Sequence, residues 1–315
     1  MIAALALLFG LIGVFIGGDF LVNSAVKIAQ RLKIPDVVVG MTILSVGTTL
    51  PEMSVNVFAA IGGHTDLIIG NVIGSNLTTL LLVVGVGAII YPIVVPKKEL
   101  DLHLMFVLFA HFLLISAITF SLSGNFATIS RLEGIAFLWI GCWYLWTLFF
   151  HRKKEHVAEE VVEQVGLKGI VVGLIVGMVF LLISARLVVY GATGISELFG
   201  ISQSVVGLTI VGLGTSLPEL VTAIMSAMRK KTEMVFGNVI GSNTLTILFT
   251  LGISSTIRNV PMSSTLVVDV GILIVCTLFV IMYLHHTHPK AITRWQGVLL
   301  VLVFLAYFLF TVYRG

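Results

Sequence analysis

The chain has 315 residues, 58% of them hydrophobic and only 10% charged, with a formal net charge of +3 and a mean hydropathy of +1.12. A soluble domain carries about 25% charged residues, so this composition excludes one and points to a polytopic membrane protein. The two cysteines, Cys142 and Cys276, both lie in apolar stretches, which speaks against a disulfide framework or a cysteine-zinc site.

Apolar runs of about 20 residues, the length that crosses a bilayer as a helix, fit ten times. They lie near 2–22, 36–62, 66–91, 101–122, 129–150, 169–190, 203–228, 233–257, 264–284 and 294–313. The first lacks a basic leader and a clear cleavage site, so it reads as a span and not as a removed signal. The second and third carry VGMTILSVGTTLPE at 39–52 and GNVIGSN at 70–76. Trp139, Trp143, Tyr144 and Trp146 in the fifth are expected to anchor its end at the membrane interface. After it, the acidic run EHVAEEVVEQVG at 155–166 is too short for a regulatory domain and joins the halves. His285, His286 and His288 follow the ninth span and read as a solvated loop. Asp19 and Arg186 lie near span ends, as interfacial anchors or partners of loop charges do; Glu133 and Asp269 take no role.

The seventh and eighth spans repeat the second and third. VGLTIVGLGTSLPE at 206–219 shares nine of 14 positions with 39–52, GNVIGSN recurs unchanged at 237–243, and every matched pair is 167 positions apart. The expected organisation is therefore a first repeat at 1–151, a linker at 152–168 and a second repeat at 169–315. Five spans per repeat is an odd number, so the second copy must enter the membrane from the opposite face. The fold class is all-α and polytopic: ten transmembrane helices as two inverted five-helix repeats with broken motif helices. Inverted repeats meeting near the midplane are the usual plan of a secondary transporter.

Orientation follows from Lys and Arg. With the N-terminus outside, the inner side holds Lys27, Arg31, Lys33, Lys97, Lys98, Arg152, Lys153, Lys154, Lys168, Arg229, Lys230, Lys231, Lys290 and Arg294. Only Arg131, Arg186, Arg258 and Arg314 fall outside, a division of 14 against 4 of the chain's 18 basic residues that satisfies the positive-inside rule. Both termini are expected outside a plasma membrane.

An acidic residue inside an apolar span is costly and marks function, and here Glu52 and Glu219 occupy equivalent positions. Gly47 and Gly214 permit unusual backbone. Pro51 and Pro218 supply no amide and suit the first turn of a restarted helix. Each helix is expected to break at the motif, freeing carbonyls beside its glutamate, with the hydroxyls of Thr48, Thr49, Thr215 and Ser216 close by. Asn71, Ser75 and Asn76, with Asn238, Ser242 and Asn243, add polar atoms between glycines that allow close helix approach. Carbonyls, hydroxyls and carboxylates are hard oxygen ligands, and Ca2+ takes about 6–8 of them. No His or Cys joins the set, which argues against a softer metal. Two carboxylates balance one Ca2+ or two Na+, a physical basis for exchange, and protons compete for the same groups.

The doubled GTxLPE and GNVIGSN blocks resemble the two α-repeats of the sodium/calcium exchanger family, within the cation/calcium exchanger superfamily, in its form without a regulatory domain. The resemblance covers the whole chain. It implies a Ca2+/Na+ antiporter working by alternating access, with spans 2–22 and 169–190 sliding across a core of motif helices. Ca2+ would be held by Glu52 and Glu219 with the carbonyls of Thr48 and Thr215. Sodium sites would map onto Ser45, Thr48, Ser75, Gly212, Thr215 and Ser242, together with the two glutamates. The implied partners are the lipid bilayer and small inorganic cations, with no cofactor, nucleic acid or obligate protein partner.

The chain departs from that pattern at two places. Similar archaeal exchangers carry Asn and Asp four residues beyond the serine of each GNVIGSN block, where this chain has Thr79 and Thr246. That departure bears on sodium stoichiometry and on the choice between Na+ and H+. Proton-coupled relatives show a GNATE-like block in place of GTxLPE, so the motif favours sodium. A channel would also use backbone oxygens and acidic groups, but inverted repeats with one midplane site favour a transporter. No HExxH, Ser-His or paired-Asp arrangement suggests an enzyme, and few aromatic or bidentate groups suit an organic solute.

Overall fold

The computed structural model describes residues 2–32, 34–95, 97–119, 128–150, 166–198, 212–262, 264–286 and 291–314. Ten helical segments run through them: α1 (Ile2–Leu32), α2 (Asp36–Gly62), α3 (65–90), α4 (Lys97–Thr119), α5 (Arg131–Phe150), α6 (Leu167–Leu198), α7 (Gly212–Thr215 and Leu217–Met228), α8 (Thr232–Ile257), α9 (Ser264–His286) and α10 (Arg294–Arg314). Among the described residues seven helices are long and apolar enough to cross a membrane, and α4 and α7 contain the shorter apolar stretches Leu104–Ala117 and Leu217–Met228. The start of the seventh expected span, residues 152–165 of the expected linker and His288 lie outside the described residues.

The ten expected spans correspond to these ten segments, with two corrections of length. α1 runs to Leu32 and not 22, and α6 to Leu198 and not 190. Apolarity stops where the bilayer stops, but backbone hydrogen bonding continues: α1 meets no proline before Pro35. Lys27 and Arg31 therefore ride on the last turns of α1 and not in a loop.

Inversion is visible in how the halves interlock. α1 and α6 lie antiparallel with their backbones in contact. A Cβ added at Gly10, Gly17 or Gly177 would fall 2.7 Å from the amide nitrogen of Val188, Leu181 or Leu21 respectively. The pair Gly10–Val188 becomes Gly177–Leu21 when both numbers shift by 167. The last helix of each repeat packs on the third helix of the other. α10 meets α3 at Gly297 and Gly85, and α5 meets α8 at Gly134 and Gly252, each close enough that a side chain would strike the opposite carbonyl. Short strands repeat the exchange: β1 (Ile93–Val94) pairs with β4 (Ala291–Ile292), and β2 (Thr128–Ile129) with β3 (Val260–Pro261), both antiparallel.

Local chemistry fixes the ends of these helices. Ser130 and Glu133 form a reciprocal capping box at the start of α5, with the Ser130 amide donating to Glu133 Oε2 at 2.6 Å. The Thr293 amide donates to Gln296 Oε1 at 2.7 Å before α10 in the same way. Asp269 is engaged by Arg314 at 2.7 Å. α2 ends on Gly63 in the left-handed region (φ 84°), and its counterpart after α7 is Lys230 (φ 60°). Tyr144 is fully buried against Phe106 at 4.9 Å between ring centroids. It is not an interface anchor, because one residue of helical rotation turns it inward while Trp139, Trp143 and Trp146 stay exposed.

Candidate functional site

The two motif helices differ in conformation despite their matched sequences. α2 is helical from Ser45 to Gly62 straight through Pro51, so the expected break in the first repeat is absent. Proline is tolerated inside a membrane helix when its surroundings satisfy the freed groups, and here it removes only the amide that would have served the Gly47 carbonyl. α7 does break, at Ser216 (φ −90°, ψ 3°), and restarts with Pro218 in its first turn and Glu219 beside it. That position places Glu219 at the positive end of the restarted helix dipole.

Behind the motif helices stand α3 and α8, which carry the two GNVIGSN blocks. Gly237 and Gly241 bring α8 onto the backbone of α2: a Cβ at Gly237 would lie 2.2 Å from the Val37 carbonyl oxygen, and one at Gly241 would lie 2.7 Å from Ser45 Oγ. Among the described residues nothing lies within 4 Å of a Cβ added at Gly70 or Gly74; the counterpart of the α2 segment they would match, 203–211, lies outside those residues. Both blocks run into π-helical turns, Thr78–Val83 and Thr246–Leu251, so Thr79 and Thr246 sit in the irregular backbone often found at functional sites. A third π-turn, Gly40–Leu44, leads into Ser45.

Polar side chains from both repeats meet where these four helices cross. Glu52, Glu219, Thr48, Thr215, Thr49, Ser216, Ser45, Ser75, Ser242, Asn71, Asn238, Thr79 and Thr246 are all buried; Gly212 opens α7, four residues before Ser216. Thr48 Oγ1 donates to Asn238 Oδ1 at 3.4 Å, and at the equivalent place Thr215 Oγ1 donates to Asn71 Oδ1 at 3.3 Å. Each bond joins one repeat to the other. The Ser75 hydroxyl donates to Glu52 Oε1 at 3.3 Å and lies 3.2 Å from Ser216 Oγ. Ser45 Oγ bonds back to the Met41 carbonyl, Ser242 Oγ to Val239 O at 3.2 Å, and Thr79 Oγ1 to Asn243 Oδ1 of the other repeat. On each glutamate one oxygen, Oε2, is buried with no hydrogen-bond partner among the described residues, as is Thr49 Oγ1. Burying an unpaired carboxylate oxygen costs several kcal/mol unless a cation or proton satisfies it, roughly. Among the described residues no cluster of three His, Cys, Asp or Glu exists, so the oxygens offered are hydroxyls, amides, carbonyls and two carboxylates.

Among the described residues, the two faces beside this cluster differ. A cleft of about 490 Å3 lies between α2 and α6, lined by Pro51, Ser54, Phe58, Ile183, Arg186 and Thr215 among others. The symmetry-related face is shut: Val221 of α7 is buried with Val14 and Val188, and Leu217 and Met225 pack around them. A Cβ at Gly18 would fall 2.3 Å from Val221 Cγ1. The position equivalent to Val221 is Ser54, on the wall of the cleft. Arg186 thus lines the open cleft, while Asp19, its counterpart, pairs with Arg229 at 2.5 Å on the closed side.

The pattern of the sodium/calcium exchanger protein family matches residues 2–150 and 169–313, both halves of the chain. The chain belongs to the sodium/calcium exchanger family. Among curated relatives, the membrane protein MJ0091 of Methanocaldococcus jannaschii is 33% identical over 304 residues, covering 95% of this chain and 94% of its own. The sodium/calcium exchanger MaX1 of Methanosarcina acetivorans is 28% identical over 96% of both. Solved structures of the sodium-calcium exchanger NCX_Mj align with a TM-score of 0.85 at 30% identity over 97% of each chain when soaked in 10 mM Na+ without Ca2+. This exchanger is thus a helical membrane transporter of small cations. Two residues at the cluster were not anticipated from sequence. Asn56 and Thr222 bond the amides of Asn71 and Asn238 at 2.9 and 3.1 Å. Their signal was available: Asn56 follows Glu52 by four residues and Thr222 follows Glu219 by three, each on its glutamate's helical face.

Proposed function

We propose that the protein is a secondary antiporter that exchanges Ca2+ for Na+, with Ca2+ held at the midplane by Glu52 and Glu219 and the carbonyls of Thr48 and Thr215. The observation that carries this reading is the pair of buried Oε2 atoms at repeat-equivalent glutamates, without a hydrogen-bond partner among the described residues, inside a cluster of hard oxygens drawn from both halves. A cation bridging the two carboxylates supplies what those oxygens lack, and Na+ ions would use Ser45, Thr48, Ser75, Gly212, Thr215, Ser242 and the same two glutamates. Thr49 and Ser216, with the amide oxygens of Asn71 and Asn238, complete the cluster. The names of the relatives support the same ions, since MaX1 and NCX_Mj are sodium/calcium exchangers.

Transport would proceed by alternating access. The repeats, 1–151 and 169–315 about a linker at 152–168, are inverted copies, so exchanging their conformations exchanges which face is open. The open cleft beside Pro51 and the valine-sealed face beside Pro218 are one such state. In a plasma membrane with both termini outside, the cleft faces outward. The deciding experiment is 45Ca2+ uptake into proteoliposomes under a Na+ gradient and, separately, a pH gradient. Uptake driven by Na+ supports this reading. Uptake that follows only the pH gradient would make the protein a H+/Ca2+ exchanger, and unitary currents would make it a channel.

A further inference from the structure

Each of the two site asparagines is held by both ends of its amide. At Asn71, Oδ1 accepts from the Thr215 hydroxyl and Nδ2 donates to Asn56 Oδ1 at 2.9 Å. At Asn238, Oδ1 accepts from the Thr48 hydroxyl and Nδ2 donates to Thr222 Oγ1 at 3.1 Å. The acceptors have their own protons committed elsewhere. Asn56 Nδ2 donates to Ile68 O at 3.4 Å, and Thr222 Oγ1 donates to the carbonyls of Pro218 and Glu219 at 2.9 and 3.0 Å. What each turns toward its asparagine is therefore a lone pair, which accepts from NH2 and repels a carbonyl oxygen. An amide that rotated by half a turn would lose that bond, set two oxygens against each other, and aim its NH2 at the motif threonine and the cation beyond it.

Asn56 and Thr222 are not inherited equivalents. Shifting Asn56 by 167 gives Ala223, and shifting Thr222 back gives Val55. The two halves reach the same bond with different residue types at different positions, and both sites are buried. A feature kept while its sequence position moves answers a demand of the site and not the symmetry of the repeat.

We infer that Asn56 and Thr222 are positioning residues that lock the amides of Asn71 and Asn238 with their oxygens toward the motif threonines, so that the ion site meets only oxygens. The inference rests on the proposed Ca2+ site at Glu52 and Glu219. It deepens that reading by naming what sets the polarity of the site's two amides. Neither residue touches the ion; each acts through its asparagine.

The test measures 45Ca2+ transport by reconstituted full-length protein, with KM and kcat resolved. Thr222→Val keeps the shape and removes the acceptor, and should raise KM for Ca2+ about five- to tenfold, the worth of one buried hydrogen bond, while kcat changes less than about twofold. Thr222→Ser should restore KM. Asn56→Leu should act on KM in the same direction. In an Asn238→Asp background the effect of Thr222→Val should shrink below about twofold, because a carboxylate presents oxygen whichever way it turns. A merely structural role predicts no such rescue. If Thr222→Val does not fold, the Asn56→Leu arm, read against Asn71→Asp, carries the same comparison. Unchanged KM in the folded acceptor variants, or an undiminished effect in the aspartate backgrounds, beside an inactive Glu52→Gln overturns this inference alone. Normal transport by Glu52→Gln overturns the Ca2+ site and the inference with it.

Discussion

Asp19 and Arg229 form an ion pair at 2.5 Å that ties α1 to the turn between α7 and α8, and Asn23 Oδ1 accepts a second hydrogen bond from the same guanidinium at 3.1 Å. It spans the closed face, where Val221 also packs against Gly18. The equivalent positions on the open face are Arg186 and Gly62, which cannot form such a pair. The repeats share a fold, but this contact has no counterpart on the open face, so the pair stabilises the closed face alone.

Asp19→Asn should therefore shift the conformational balance toward the form open on the α1–α7 side. The pair is partly exposed, at 32% for Arg229 and 52% for Asp19, and such pairs contribute at most about 1 kcal/mol. The expected shift is therefore no more than about fivefold. Cysteine accessibility at Val221, compared with the parent protein, reads it. Equal labelling in both would show that the valine contacts alone hold that face shut.

A second prediction concerns the glutamates. Glu52→Gln or Glu219→Gln keeps the side-chain shape and removes one of two charges from the site. Removing one partner of a buried charge set costs about 3–5 kcal/mol, two orders of magnitude or more in affinity. Either variant should reconstitute as folded protein and show no measurable 45Ca2+ transport. Near-normal exchange by either would sink the site assignment.

The sequence carried the ten spans and the inverted plan because both depend on features that survive as text: apolar length, charge asymmetry and an exact offset of 167 residues. It carried the glutamates for the same reason. The different treatment of two near-identical motifs was not legible, since an unbroken α2 and a broken α7 are two conformations of one sequence pattern. The extents of α1 and α6 were missed because hydropathy reports the bilayer and not the hydrogen-bond ladder. Asn56 and Thr222 escaped because repeat matching looks for the same residue in the same place, and they share neither.

Lys230 offers a stability test. It holds a left-handed backbone (φ 60°) where the first repeat has Gly63, a conformation that costs a non-glycine residue roughly 1 kcal/mol. Its ammonium sits 5.9 Å above the Tyr91 ring, which returns about 0.5–1 kcal/mol at an exposed site. Lys230→Gly should therefore leave thermal stability within about 1 kcal/mol of the parent, whereas Lys230→Val, β-branched at the same φ, should lower it by clearly more. A fluorescence melt of detergent-solubilised protein distinguishes the two; equal losses would mean that the side-chain contact, not the backbone, dominates.

The site should also prefer Ca2+, and Sr2+ after it, over Mg2+. Mg2+ demands a tight octahedron and sheds water reluctantly, and a site assembled from four crossing helices with oxygens of four kinds does not present one. Calorimetric titration of the purified protein should show Ca2+ binding that excess Mg2+ does not displace. Mg2+ bound as tightly as Ca2+, and lost in Glu52→Gln, would argue against a calcium exchanger.

The last prediction separates the counter-ion from the calcium. Thr79 and Thr246 lie in the π-turns behind the site, and Thr79 Oγ1 lies within hydrogen-bond distance of the Ser75 and Asn76 carbonyls, at 2.9 and 3.1 Å, and of Asn243 Oδ1. A threonine there brings one uncharged oxygen where a carboxylate brings two and a charge, so its own part in holding a sodium ion should be small. The serine and threonine oxygens of the two motifs are therefore left to carry Na+ coupling. Introducing Thr79→Asn with Thr246→Asp adds an amide and a third carboxylate to the centre, and should change the Na+ dependence of exchange more than the KM for Ca2+, which the two glutamates set. Parallel Na+ titrations of 45Ca2+ exchange in parent and double variant measure this. A large change in KM for Ca2+ with an unaltered Na+ profile would show that the centre of the site belongs to calcium, and would move the sodium sites away from it.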